Sequence, residues 1–154
     1  MGLDQYLHAS RFSFPSPRLE EYDAEFDAIK KVLGDDAKFL DKSAPAASIE
    51  ITVGYWRKAN AIHKWFVENC QQGIDDCRTV GVGREQLKEL KSLCSQVIKT
   101  PDKASELLPT QSGFFFGSED YDEWYTRELR STINIINKCL RMGERWNFTY
   151  SSSW

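Results

Sequence analysis

Two short stretches hold the residues whose types suit ligand binding or acid–base chemistry. The first is GYWRKANAIHKWF, Gly54 to Phe66, which contains Trp56, Arg57, Asn60 and His63. An indole face, a guanidinium, an amide and an imidazole can together hold a planar ligand that carries a negative group. His63 is one of only 2 histidines in the chain, so it is also the candidate for acid–base chemistry.

The second stretch is PTQSGFFFG, a predicted loop from Pro109 to Gly117. Thr110, Gln111 and Ser112 offer side-chain and backbone donors, and binding residues are concentrated in loops. Phe114 opens a run of three phenylalanines that cannot all be buried on one side of an extended chain, so one of them should meet a neighbour or a partner. We predict that both stretches form one ligand-binding pocket, built from Trp56, Arg57, Asn60, His63, Thr110, Gln111, Ser112 and Phe114.

The first stretch is predicted to lie on a helix from about Tyr55 to Gln71. Because a helix turns about 100° per residue, one apolar stripe is expected to face the core, and Trp56, Asn60 and His63 follow one another along its flank. Two interpretations stay open. In one, these side chains decorate the edge of a core helix; in the other, they form the wall of a cleft.

Catalytic and metal chemistry have less support in the sequence. Asp75, Asp76 and the acidic residues within 119–123 are typical of solvated faces and helix caps. His63 and Cys70 are seven residues apart and share a helix face, but two residues do not make a metal site. No P-loop or dinucleotide-binding fingerprint is present. We therefore predict no catalytic residue, no metal and no cofactor.

The elements that must position these residues indicate an α+β fold. A small antiparallel sheet of about three strands, including both chain ends, packs against four or five helices. One domain is expected over residues 1–154, with a flexible connector at 35–48. The predicted strands are Leu3–Phe14, Ile49–Val53 and Trp146–Trp154; the predicted helices follow Leu19 up to Gly34, then cover Tyr55–Gln71, Arg84–Ile98, a short turn ending near Leu108, and a Ser118-capped helix stopping by Gly143.

Composition limits the classes of partner. The chain has 20 basic and 23 acidic residues, a net charge of −3, and no basic block, which argues against bulk binding of nucleic acid. No apolar run approaches the roughly 20 residues that cross a bilayer, so no membrane partner is predicted. The 4 cysteines lack zinc-site spacing, and the first residues lack the features of a secretory signal, so we expect a cytosolic protein with reduced thiols.

Four stretches resemble a family of small tailed-phage and prophage proteins: MGLDQYL, YWRKANAIHKWFVENCQQGIDDC, ELLPTQSGFFFGSEDYDEWY and the terminal SSSW. Together they cover well over half of the chain, whereas the segment 15–48 departs most. The resemblance implies a phage gene product acting in the cytoplasm of the infected bacterial host. No reaction is assigned to the family, so no catalytic residue carries over.

Two hypotheses of different classes follow. The protein is either a non-enzymatic accessory factor that binds a small anionic, nucleotide-like ligand or a host protein and so counters host defence, or a small hydrolase or nucleotide-modifying enzyme that uses His63 as acid and base. A virion component is a third possibility. The sequence also leaves a homo-oligomer open, because the tryptophan at the C-terminus suits docking on a second copy as well as on its own domain.

Overall fold

The computed structural model of the protein describes residues 2–16 and 18–154, and within them the α+β prediction is confirmed. The sheet has four strands rather than about three. Short 3-10 helices cover Gly34–Phe39 and Pro101–Lys103. In chain order the other elements are β1 (Asp4–Ser13), α1 (Glu20–Leu33), β2 (Ala47–Arg57), α2 (Asn60–Cys70), β3 (Val80–Val82), α3 (Arg84–Lys99), α4 (Ala104–Leu107), α5 (Glu123–Arg141) and β4 (Asn147–Ser153).

The strands follow the order β2-β1-β4-β3 in one sheet. β3 pairs antiparallel with β4, with Val80 opposite Tyr150 and Val82 opposite Phe148. This additional strand lies in a segment that the sequence suggests is a loop. It is only three residues long, so it is too short to show the alternation of apolar and polar residues that predicts a strand.

The chain divides into two compact units. The first comprises the residues up to Ala9 together with Thr52–Trp154, and the second is Ser10–Ile51. In the second unit the carboxylate of Asp23 accepts a hydrogen bond from the backbone N–H of Ser16 at 2.7 Å, just before α1. The single domain over 1–154 and the flexibility of 35–48 remain predictions.

The first unit holds a core in which α3 packs against α5. The inward face that helical spacing predicts for the long helix near the C-terminus is confirmed by five buried residues: Tyr125, Leu129, Thr132, Ile136 and Cys139. Leu140, expected on the same face, is half-buried, and Tyr121, also expected there, is exposed and precedes α5. No helix in the described ranges combines the length and the apolar character needed to cross a membrane. The other large buried side chains of this core include Leu7, Ile62, Phe66, Leu87, Leu90, Phe148 and Tyr150.

The helix predicted from Tyr55 begins later than expected. Residues 55–57 belong to β2, and α2 starts only at Asn60. Gly54 does not break the strand; instead it allows a close approach between β2 and α5, because a Cβ at Gly54 would lie 2.7 Å from Cγ2 of Ile135. Gly54 and Trp56 are buried, whereas Tyr55 and Arg57 are exposed, as alternation along a strand requires.

The start of α5 also differs from the prediction. Asp122, not Ser118, caps the helix: its carboxylate accepts a hydrogen bond from the backbone N–H of Tyr125 at 3.0 Å. The Ser118 hydroxyl instead donates to the carboxylate of Asp120 at 3.0 Å. Residues 117–122 therefore form a loop, and this loop becomes one wall of the cleft described next.

Candidate functional site

His63 is fully buried, and both of its ring nitrogens have partners. Nδ1 lies 2.8 Å from the hydroxyl of Tyr150, and Nε2 lies 2.9 Å from a carboxylate oxygen of Asp75. The edge of the ring meets Phe116, with the ring centroids 5.2 Å apart. The expectation that His63 borders an open hollow is therefore wrong, because the sheet and the 110–118 loop enclose its ring.

The polar network around His63 continues through the sheet. The hydroxyl of Tyr150 donates to the side-chain oxygen of Gln5 at 3.1 Å, and the Gln5 amide donates to the carbonyl of Ala59 at 3.2 Å. At the opposite end, the indole N–H of Trp154 donates to Asp75 at 3.1 Å. This chain of hydrogen bonds satisfies buried polar groups that would otherwise be costly, so it holds β1, α2 and β4 together.

Trp56 is also inside the protein, with 4% of its surface exposed. Its indole N–H donates to the hydroxyl of Thr132 on α5 at 2.9 Å. Its ring lies against Phe66, with centroids 6.0 Å apart. Trp56 and His63 form no cleft wall, because both side chains are buried and neither lines the cleft described below. Both side chains are parts of the core.

Asn60 connects the two predicted stretches. Its amide group donates to the carbonyl of Phe116 at 3.1 Å and to that of Ser118 at 2.8 Å. Its side-chain oxygen accepts from the backbone N–H of Gln111 at 3.1 Å. Asn60 is buried, and these three bonds hold the 110–118 loop against the start of α2. The two predicted stretches are therefore in contact, as expected. The contact is structural, and we call these three hydrogen bonds of Asn60 the clamp.

A cleft of about 520 Å³ lies beside this clamp. Its volume is in the range typical of small-molecule sites, which is about 300–1,000 Å³. Three of the predicted binding residues line it, namely Arg57, Asn60 and Thr110, whereas Trp56, His63, Gln111, Ser112 and Phe114 do not. Residues that the sequence did not single out complete the lining: Lys58, Gly117, Ser118, Asp120, Asp122, Trp124, Tyr125 and Glu128.

Backbone geometry fixes the cationic side of the cleft. Lys58 has a positive φ of 60°, and its N–H donates to the carbonyl of Leu3 at 2.7 Å. Gly117 also has a positive φ, and a Cβ there would lie 3.1 Å from Cβ of Lys58. Only glycine adopts this conformation readily, so Gly117 permits the loop to approach the turn after β2. Arg57 and Lys58 are exposed there.

The rest of the lining includes aromatic and acidic residues. Trp124 is 66% exposed, and the guanidinium of Arg127 lies 4.5 Å from the centre of its ring. Tyr125 donates its hydroxyl to the carbonyl of Leu108 at 2.8 Å, and burial raises its pKa well above the usual range. The Tyr125 hydroxyl is thus a fixed, neutral group at the base of α5.

Glu128 is the unusual acid of the cleft. It is half-buried, and burial raises the pKa of its carboxyl group to about 8, with a further contribution from the negative charge of Asp122. The sequence did carry a signal for this residue. Glu128 follows Tyr125 by three residues and precedes Thr132 by four, so a charged side chain stands within the inward face of an amphipathic helix.

Phe114 extends away from the cleft, with 95% of its surface exposed. Its ring and that of Phe115 are nearly perpendicular, with the ring centroids 4.7 Å apart. Phe116, by contrast, is buried against His63. The three phenylalanines are therefore not all buried, and the exposed Phe114 does not line the cleft. That at least one of them meets a neighbour or a partner stays a prediction.

The cysteines do not supply a reactive thiol at this site. All four are free, and burial raises the pKa of Cys70 and Cys139 to about 11 and that of Cys94 to about 12. The thiols of Cys70, Cys94 and Cys139 therefore stay protonated, whereas the thiolate is the nucleophilic form. Over residues 2–16 and 18–154 no group of three or more histidine, cysteine, aspartate or glutamate side chains is arranged to hold a metal ion.

Fold and site together define an α+β protein with one mixed-charge, aromatic cleft between the end of β2 and the start of α5. Comparison with protein-family models, with curated proteins and with solved structures gives no match to this chain.

Proposed function

We propose that this chain is a non-enzymatic binding protein for a small, planar, anionic ligand, of which a nucleotide is the representative class. The observation that carries the proposal is an exposed indole, Trp124, that shares one cleft with the cations Arg57 and Lys58. Within the described ranges neither cation has a carboxylate partner. Their charge is therefore available to an anionic group.

The acidic residues of the cleft are compatible with this ligand. Asp122 is committed to capping α5, and Asp120 accepts from the Ser118 hydroxyl. Asp120 lies on the 117–122 loop and Asp122 at the start of α5, whereas Arg57 ends β2 and Lys58 follows it directly. A ligand oriented by these charges would direct its negative group towards Arg57 and Lys58 and its ring towards Trp124.

The sequence resemblance adds a biological setting to the proposal. In a tailed phage or prophage, such a protein would act in the cytoplasm of the infected bacterium. Binding and sequestering a nucleotide signal there would counter host defence. The alternative enzymatic function with His63 as acid and base has no support from the geometry, since the ring is fully buried and both nitrogens are engaged.

The test is a binding panel of nucleotides measured by calorimetry, followed by mass spectrometry of the recovered ligand. Trp124→Ala should weaken binding by about 5- to 150-fold, because stacking of a base on an aromatic side chain contributes about 1–3 kcal/mol. Arg57→Ala should weaken it about tenfold or more, since a hydrogen bond to a charged group contributes about 1.5–3 kcal/mol.

Arg130→Ala is the matched control, because it removes the same charge from an exposed position of α5 outside the cleft. It should leave the affinity within about twofold of the wild type, as expected for a screened surface charge. Recovery of intact ligand agrees with a binding protein, whereas turnover would establish an enzyme. A panel in which no nucleotide binds would contradict the proposal.

A host protein is the second candidate partner, and the exposure of Phe114 favours it. With 95% of its surface exposed on a loop, the Phe114 ring is available to a partner, and aromatic side chains are frequent anchors of protein interfaces. Phe114→Ser should then abolish co-purification of a host protein from infected cells while it leaves nucleotide binding intact. Unchanged co-purification would exclude this surface.

A further inference from the structure

Glu128 differs from the other acids of the cleft because its carboxyl group has no partner among the residues that the structure describes. Its backbone carbonyl accepts from the Thr132 hydroxyl at 2.8 Å, which is an ordinary contact within a helix. In the described ranges, no donor or cation pairs with its side chain. A half-buried carboxyl group that opens into a cavity and lacks a partner is placed to meet a ligand.

The surroundings of Glu128 determine its form. The other charged groups that share the cleft are Arg57 at the end of β2, Lys58 directly after it, Asp120 in the loop and Asp122 at the cap of α5. Tyr125 is the remaining titratable group of the lining. Burial, and then the charge of Asp122, raise the pKa of Glu128 to about 8. The acid form therefore predominates at neutral pH.

A neutral carboxylic acid has a specific recognition pattern. It donates one O–H and accepts at the adjacent carbonyl oxygen, whereas a carboxylate only accepts. Its complement is a ligand edge with one acceptor and one donor side by side. A cyclic amidine or a cyclic amide has such an edge, as in the nucleobases, where an exocyclic amine or a ring N–H stands next to a ring nitrogen or carbonyl.

We propose that Glu128 determines the specificity of the cleft, pairing as a neutral acid with the amidine or amide edge of a heterocycle stacked on Trp124. Glu128 lies one helical turn after Trp124 on α5, so both side chains occur on the same part of the cleft. This inference rests on the proposed function. It narrows the ligand from a planar anion to one with adjacent donor and acceptor atoms.

The test compares the wild type with Glu128→Gln and Glu128→Ala, using AMP as the probe between pH 7 and pH 9.5 and IMP as a second probe at pH 7. Glutamine keeps one donor and one acceptor, so Glu128→Gln should bind within about threefold of the wild type at pH 7. Wild-type affinity should fall about tenfold between pH 7 and pH 9, as the acid form is lost. Glu128→Gln should show no such fall, and Glu128→Ala should bind about tenfold more weakly at pH 7.

Two controls isolate the effect. Glu123→Gln makes the same chemical change at an exposed position of α5 outside the cleft and should keep the wild-type pH profile. Purine riboside monophosphate retains the ring nitrogens of AMP but lacks its exocyclic amine. It should bind more weakly than AMP to the wild type, and this difference should disappear in Glu128→Ala.

The outcomes separate this inference from the proposed function. If AMP or IMP binds the wild type but Glu128→Gln loses affinity as severely as Glu128→Ala at pH 7, the residue acts as a carboxylate and the inference is wrong. A wild-type affinity that is constant up to pH 9.5 would also overturn it, while the cleft would remain a ligand site. If neither probe binds at any pH, the inference fails, and the nucleotide panel decides separately whether the proposed function fails as well.

Discussion

Replacement of Glu128 by glutamine should stabilise the protein in a pH-dependent manner, and this effect does not require a ligand. The pKa of Glu128 rises from 4.5 to about 8 on folding. A group whose pKa is raised in the folded state binds more protons there than in the unfolded state, so the stability falls as the pH rises between these two values. Glutamine cannot ionise and escapes this loss.

The size of the effect follows from the same pKa values. The difference of about 3.5 corresponds to a ceiling of about 4.8 kcal/mol, at about 1.36 kcal/mol per pKa unit. Glu128 is only half-buried, so solvent screening reduces this figure, and we expect about 2 kcal/mol. For a chain of this length that stabilisation corresponds to an increase in Tm of roughly 4–8 °C.

The assay is urea and thermal unfolding of both proteins at pH values from 4 to 8.5. Near pH 4 the variants should be equally stable, because the carboxyl group is protonated in both the folded and the unfolded wild type. The advantage of Glu128→Gln should then grow through neutral pH and level off above pH 8. Glu123→Gln should show no such growth. Parallel stability profiles for Glu128→Gln and the wild type would refute the assignment of a neutral acid to the cleft.

Three further substitutions test the frame around the cleft. Asn60→Ala removes three hydrogen bonds and should lower the free energy of unfolding by about 2–4 kcal/mol. It should also accelerate hydrogen exchange of the backbone amides in 110–118. Stability equal to the wild type would disprove the clamp. Gly54→Ala should lower the free energy of unfolding by about 1–3 kcal/mol, because the added Cβ clashes with Ile135. Adding Ile135→Ala should relieve part of this clash in the double variant. Strictly additive losses of stability would exclude the contact. His63→Phe should cost about 1–3 kcal/mol in urea unfolding, because Tyr150 and Asp75 each lose one hydrogen bond; an unchanged midpoint would contradict the network.

The general fold followed from the sequence because long periodic segments determine it. The spacing of apolar residues located α3 and α5 to within a few residues, and alternation located β1 and β4. The helix predicted from Tyr55 begins only at Asn60, and this error has a physical reason. Tyr55 and Phe66 satisfy a helical stripe as well as an alternating strand followed by a helix, and only the pairing within the sheet decides between them.

The site followed from the sequence only in part. Residue types predicted that 54–66 and 109–117 meet, and the Asn60 bonds confirm this contact. However, the indole and imidazole are buried, because aromatic side chains at core spacing gain more from packing than from lining a cleft. Two lining residues that the sequence did not identify are Trp124 and Glu128, both on α5. The helical spacing of α5 identifies only the residues that face the core. The raised pKa of Glu128 could not be predicted from the sequence, because it results from burial in the folded chain.

The most direct test of the binding cleft is a titration of the 15N-labelled protein with AMP, monitored at the indole N–H signals. The chain has 5 tryptophans, and Trp124 is the one that lines the cleft. The Trp124 signal should shift progressively with added AMP, while the signal of Trp56, whose indole N–H donates to Thr132, should stay in place. A Trp124 signal that remains unmoved while AMP binds, or no response from any indole, would contradict the proposed binding cleft.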